Sequence, residues 1–169
     1  MKMRGKPQAA LIDMDGTLAN VSGIRHYVRR PNRNFHRFHE ASEFVPANRE
    51  AIAFGKRQHK LGRKNLIVTA RMRMWETATR NFLEREVAHH FPYEPTIYMR
   101  EDGDHRKDVE IKRELFAAIS EQYNVVAACD DNPSIIALWE ELQIPEIVVV
   151  PGWEEESANA YAEAANRIK

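Results

Sequence analysis

The sequence predicts a single α/β domain built on a doubly wound, mainly parallel sheet. Three observations predict it. Five short apolar runs lie along the 169 residues, continuous rather than alternating, as strands covered on both faces read. The stretches between them carry helical spacing, so strand and helix alternate throughout. The length suits one well-buried core, and no repeat, low-complexity tract or Gly/Ser linker divides it.

The elements follow in order. "AALIDM" (9–14) is the first strand. Residues 19–45 form a polar, aromatic and arginine-rich insertion, which reads as a lid or wall because ordered loops of that length are usually functional. A helix over 46–61 opens with Pro46 and sets Ile52 and Phe54 near one face. "NLIVTA" (65–70) is the second strand, and a helix over 74–91 repeats apolar residues through Trp75, Ala78, Phe82 and Val87. After "TIYM" (96–99), a helix over 105–121 begins with Asp104 as its expected N-cap. "NVVAACD" (124–130) precedes a helix over 133–142 with Pro133 in its first turn. "EIVVV" (146–150) is the fifth strand. The domain is expected to span 1–153, with 154–169, alanine- and glutamate-rich and with Tyr161 to bury, as an appended helical tail.

Lys plus Arg and Asp plus Glu both number 25, so affinity for a polyanion must come from a local patch. The one cysteine, Cys129, sits in an apolar run and suits a buried thiol in a reduced compartment. No apolar run approaches the ~20 residues that span a bilayer, and "MKMRGKPQ" leads into a strand without a signal peptide's apolar region. The expectation is a cytoplasmic protein with no membrane partner.

In open α/β sheets ligands bind beyond the carboxyl ends of the strands. The first strand ends in Asp13 and Asp15, the second in Thr69 followed by Arg71, and the fourth in Asp130 and Asp131, with Lys112 on the preceding helix. Two like charges one residue apart repel unless a cation lies between them, or unless one attacks a substrate while the other manages a proton. Gly16 permits a sharp turn and a close backbone approach. Four carboxylates for Mg²⁺, a hydroxyl for an oxyanion and cations for phosphate charge suit phosphoryl transfer.

"DMDGTL", "VTAR", a lysine upstream on a helix and "DDNP" resemble, in order and spacing, the four motifs of the haloacid dehalogenase (HAD) superfamily. More narrowly, "MREDGDHRKDVEIKRELF", "DDNPSIIALW" and "VVPGW" are similar to the 3′-phosphatase domain of phage and bacterial polynucleotide kinase-phosphatases. The resemblance implies a HAD-like Rossmannoid fold with a small cap insertion after the first strand. It implies Asp13 as the nucleophile that becomes an aspartyl phosphate and Asp15 as general acid, then base. Thr69 would bond the transferring phosphoryl group and Lys112 offset its charge. Mg²⁺ would be held by Asp13, Asp130, Asp131 and the backbone carbonyl of Asp15. Arg71 and Arg106 match cationic positions near the substrate.

Two departures, Ile12 for a common Phe and "TAR" for Ser-Gly-Arg, remove no catalytic group. No G-x-x-x-x-G-K-[ST] occurs, and "GKRQHKLGRK" (55–64) fails its spacing, so a kinase or ligase is expected only as a separate partner.

Within the insertion, Arg25, Arg29, Arg30, Arg33 and Arg37 alternate with Tyr27, Phe35 and Phe38. This suits either single-stranded nucleic acid, with Arg30 and Arg33 on phosphates, or rings that pack on the domain under solvated arginines. His36 and His39 read as packing or substrate-facing residues, and His89 and His90 as a surface helix end. The function expected is a Mg²⁺-dependent phosphomonoesterase acting on the 3′-phosphate of a nucleic acid or nucleotide. The alternatives are a small-molecule phosphatase such as a nucleotidase, and a noncatalytic nucleic-acid-binding or repair-complex module.

Overall fold

The computed structural model describes residues 5–153; the expected tail lies outside the described residues. The run buried at every position from Ala9 to Ile12 forms the central strand. β1 (Gln8–Ile12) lies between β2 (Lys64–Met72) and β4 (Asn124–Asp130), with β3 (Ile97–Arg100) and β5 (Glu146–Val149) at the edges, in the order β3-β2-β1-β4-β5. All four pairings are parallel, and Ile12 is in register with Ile67 on one side and Cys129 on the other.

Alternation along the strands sends successive side chains to opposite faces. Ala10 and Ile12 join Phe54 of α2 (Arg49–Lys60) and Phe82 of α3 (Glu76–Glu86). Ala9 and Leu11 join Ile119 of α4 (Asp108–Gln122) and Trp139 of α5 (Pro133–Glu141). Trp139 is fully buried, and its truncation to Ala would cost ~3–5 kcal/mol. The crossovers thus leave β1 toward one face of the sheet and reach β4 by the other. The crevice opens where the winding reverses, at the carboxyl ends of β1 and β4.

The insertion contains a 3-10 turn (Ser22–Tyr27) and α1 (Phe35–Ser42), whose N-cap Asn34 accepts a hydrogen bond from the Arg37 N–H at 3.0 Å. Phe38 is buried, and Tyr27 and Phe35 pack against the core that α2 and α3 share. Phe38 thus serves packing, while Tyr27 and Phe35 are half-buried and keep part of their surface toward solvent.

Element ends differ from the sequence expectation where local chemistry intervenes. α4 begins at Asp108 rather than near 105, and Asp104 is not its N-cap. Asp104 instead closes a turn through Gly103 (φ 77°) and accepts the Arg106 N–H at 3.1 Å, while Glu110 accepts the Lys107 N–H. α3 stops at Glu86, yet Val87 and Phe91 stay buried in the following coil, so apolar spacing outlasts the helix. Phe91 lies on Gly55 of α2, where a Cβ would come within 2.2 Å of its ring. Cys129 is buried, as expected. Among the described residues no helix is long and apolar enough to cross a membrane.

Candidate active site

Strand pairing persists one residue past β1, since the Asp13 N–H donates to the Cys129 carbonyl at 3.2 Å. The chain then turns: Thr17 and Ala19 both donate to the Met14 carbonyl, at 3.1 and 2.9 Å, and Gly16 takes φ 80°. The twin acids therefore diverge. Asp13 meets Lys112, and Asp15 meets Arg71.

Lys112, buried on α4, donates to Asp13 Oδ1 at 2.7 Å and to Asp130 Oδ2 at 2.6 Å. The Thr17 hydroxyl lies 3.0 Å from Asp13 Oδ2 and 3.3 Å from Asp131 Oδ1, and its single proton serves one at a time. Asp130 Oδ1 accepts the Asn132 N–H at 3.0 Å, which fixes the other oxygen toward Lys112. Asp13, Asp130 and Asp131 each bring a carboxylate oxygen within 4.8 Å of the others.

Charge crowding shows in the titration of these acids. Burial first, then the neighbouring Asp130, push Asp13 well above the usual carboxylate range, and the same two causes raise Asp131 to about 7. Burial alone would lower Lys112, but Asp13 and Asp130 hold it above its ordinary value. One lysine thus leaves three clustered carboxylates under-compensated. A hard divalent cation with oxygen ligands is the group that this donor set fits.

Asp15 is the opposite case. Burial would raise its pKa, yet the Arg71 guanidinium outweighs burial and holds it below the usual range. Arg71 is buried at the end of β2 and grips Asp15 with two nitrogens, Nε at 2.8 Å and Nη2 at 2.5 Å, in the bidentate geometry that makes such pairs strong. Its Nη1 donates to Thr79 Oγ1 at 3.0 Å, and Thr79 donates onward to the Trp75 carbonyl at 2.8 Å. Thr69, buried two residues earlier, accepts the Arg71 N–H at 3.2 Å.

Residues of the insertion flank this side. The His39 imidazole of α1 packs on Trp75 with ring centroids 5.1 Å apart. Burial pushes its titration down to about 4, against the attraction of Asp15. His36 lies edge-on to the same tryptophan and pairs with Glu40.

Glycines set the floor. A Cβ on Gly16 would lie 2.0 Å from Asp131 Oδ2, and one on Gly152 would lie 1.8 Å from the Gly16 carbonyl oxygen. Arg25 of the insertion donates to the Gly152 carbonyl, tying the insertion to the turn after β5.

The structure thus brings Asp13, Asp15, Thr69, Arg71, Lys112, Asp130 and Asp131 to the carboxyl ends of β1, β2 and β4. Arg106 is engaged elsewhere, with Asp104 at 2.6 Å and Glu114 at 2.8 Å on the surface. Arg30 is exposed and Arg33 half-buried between the 3-10 turn and α1. Sequence reasoning missed Thr17 and Thr79. Thr17 could have been found, since it lies two residues after Asp15 in the same tight turn, whereas nothing in sequence marks Thr79 as the support of an arginine eight residues earlier.

The family model described as "Polynucleotide kinase PNKP phosphatase domain" matches residues 7–153. The chain belongs to this family. It is therefore a HAD-type phosphatase domain, and its acid cluster fits the divalent metal such phosphatases use. A protein of Autographa californica nuclear polyhedrosis virus, described as a bifunctional polynucleotide kinase/RNA ligase, is 29% identical over 144 residues, which cover 83% of this chain and 19% of the viral protein. A chain in a structure of the Pnkp1/Rnl/Hen1 RNA repair complex is 27% identical with a TM-score of 0.69, covering 85% of this chain and 42% of that one. A second structure of that complex gives 25% and 0.71, over 86% and 45%. The chain thus spans less than half the length of these relatives. A class C acid phosphatase from Bacillus anthracis, solved with tungstate bound, shares the fold at 17% identity and a TM-score of 0.62, over 99% of this chain and 79% of its own.

Proposed function

We propose that the chain is a Mg²⁺-dependent phosphomonoesterase that removes a terminal 3′-phosphate from a polynucleotide through an aspartyl-phosphate intermediate. The observation that carries this reading is the division of the twin acids, with Asp13 drawn to Lys112 beside Asp130 and Asp131, and Asp15 drawn to Arg71.

Asp13 attacks phosphorus with the carboxylate oxygen that is free of Lys112. Lys112 offsets the charge that builds on the phosphoryl oxygens, and the Thr69 hydroxyl donates to one of them. Asp15 gives a proton to the leaving 3′-oxygen from its protonated form, against which the Arg71 guanidinium works in the free site, and the acyl phosphate keeps the phosphoryl group on Asp13. Asp15 then takes a proton from the water that cleaves it, with Arg71 fixing its orientation in both halves. Asp13, Asp130, Asp131 and the Asp15 carbonyl would hold the metal, which supplies charge neutralisation between an anionic nucleophile and an anionic substrate.

The viral relative and the Pnkp1 complex, each named for kinase, ligase or repair proteins, support a polynucleotide substrate and a kinase or ligase acting alongside. The test compares phosphate release from 3′-phosphorylated and 5′-phosphorylated oligonucleotides, 3′- and 5′-mononucleotides and p-nitrophenyl phosphate, with and without Mg²⁺. Preference for the 3′-phosphorylated oligonucleotide, lost on chelation and in Asp13→Asn, is the expected result. Equal or better turnover of mononucleotides would replace the polynucleotide with a small substrate.

A further inference from the structure

The solvent face of α2 carries charge that the reaction does not use. From Ala51 to Trp75 the sequence contains no Asp or Glu. Glu146 answers Arg57 and Arg63, and Glu94 answers Lys64. Arg49, Lys56 and Lys60 make no ion pair with any described residue, and all three are exposed. Their spacing of seven and four residues, with Ala53 between the first two, places them in one stripe along the helix.

Helix stability does not explain that stripe. Lys60 near the carboxyl end suits the helix dipole, but Arg49 is the first residue of α2, where a cation opposes it. Lys56 and Lys60 are like charges four apart, which destabilises a helix, and no acid occupies the position four from Arg49. The stripe also begins at the site. Asn48, the N-cap of α2, donates its amide to the Thr17 carbonyl at 2.8 Å, and its backbone N–H donates to Leu18. At a rise of ~1.5 Å per residue, Lys56 lies ~10 Å and Lys60 ~16 Å along the axis from Arg49.

We propose that Arg49, Lys56 and Lys60 are a track for the phosphate backbone of a nucleic-acid strand whose end lies in the active site. The occupant rests on the polynucleotide reading above. A row of point charges with only the small, non-hydrogen-bonding Ala53 between them recognises repeated phosphates and not base sequence.

The test is kept separate from catalysis. Binding of fluorescent single strands of 4, 8 and 16 nucleotides ending in a 3′-hydroxyl is measured against salt for the wild type, for Arg49→Ala/Lys56→Ala/Lys60→Ala, and for a control triple at Lys6, Arg80 and Arg113. The track predicts that the stripe variant binds the longer strands roughly 10-fold more weakly at low salt. The magnitude of its log–log salt slope should fall by ~2, from three single-strand contacts at ~0.7 each. The control triple, and p-nitrophenyl phosphate turnover by both, should stay at wild-type values. Lys56→Gln/Lys60→Gln should give about two-thirds of the slope change, which keeps the test open if the triple fails to fold. An unchanged slope, or equal weakening in the control, would overturn the track even with 3′-phosphatase activity intact. Competition by poly-L-glutamate as strong, charge for charge, as that by an oligonucleotide would overturn it in favour of an acidic polypeptide. Loss of the 3′-phosphatase reading alone would leave the binding result standing.

Discussion

Lys112→Met removes the one cation among the described residues that touches both Asp13 and Asp130, at 2.7 and 2.6 Å, and leaves a side chain of similar length in its buried place. Two buried carboxylates then face each other without that countercharge, and removing one member of a buried ion pair costs ~3–5 kcal/mol. In a domain of this size each kcal/mol moves Tm by ~2–4 °C, so the midpoint should fall by roughly 10 °C in Mg²⁺-free buffer. On the proposed reading Mg²⁺ binds the folded acid cluster and not the unfolded chain, so millimolar Mg²⁺ should raise Tm more in the variant than in the wild type. Turnover should fall further than stability explains, by ~10²-fold or more with folded enzyme, because the proposed mechanism also sets Lys112 against charge on the phosphoryl oxygens. Thermal melts at several Mg²⁺ concentrations, with kcat measured well below the midpoint, provide the assay. A Tm within ~3 °C of wild type without Mg²⁺ would refute the view that Lys112 compensates a crowded acid cluster.

Asp130→Asn should raise the Mg²⁺ concentration for half-maximal activity by ~10-fold or more while saturating Mg²⁺ restores much of kcat; an unchanged titration would take Asp130 out of the metal site. Gly16→Ala should lose nearly all activity, since its Cβ would lie 2.0 Å from Asp131 Oδ2 at φ 80°, and near-wild-type turnover would show that the turn adapts. Burial would raise Glu146, but hydrogen bonds from Arg57, Arg63 and Gln58 hold its pKa below the ordinary glutamate value. A depressed acid contributes stability above its unfolded pKa and loses it as pH falls through the folded one. Glu146→Gln should therefore lower Tm by a few degrees, for about 1 kcal/mol, at neutral pH, with the difference closing below about pH 4. A difference constant with pH would remove the charge from the explanation.

The strands were legible because β1, β2 and β4 are buried on both faces and so must be apolar along their length, and the acids were legible because each follows such a run. Side-chain partnership was less so. That Asp13 and Asp15 diverge depends on Gly16 and the hydrogen bonds to the Met14 carbonyl, and a strand continued through Asp15 would have pointed both acids the same way. The place of Asp104 was obscured because an aspartate before a helix and an aspartate closing a turn have the same local sequence, and only the bonds to Glu101 and Arg106 distinguish them. The rings of the insertion alternate with arginines in sequence in the same way whether they face solvent or the core; tertiary packing buried Phe38 and left Tyr27 and Phe35 half-buried.

The fold class and the acids that cluster at the candidate site were readable from the chain alone, because hydrophobic continuity and motif order are local properties that survive without coordinates. Only the tertiary structure decided which charge answers which. Lys112 lies 99 positions from Asp13, and Arg71 lies 56 from Asp15. Contacts at such separations are set by the register of parallel strands and by the crossovers that fold α4 and α5 to one face of the sheet. An ion pair depends on distance in space, and no spacing along the chain encodes that distance.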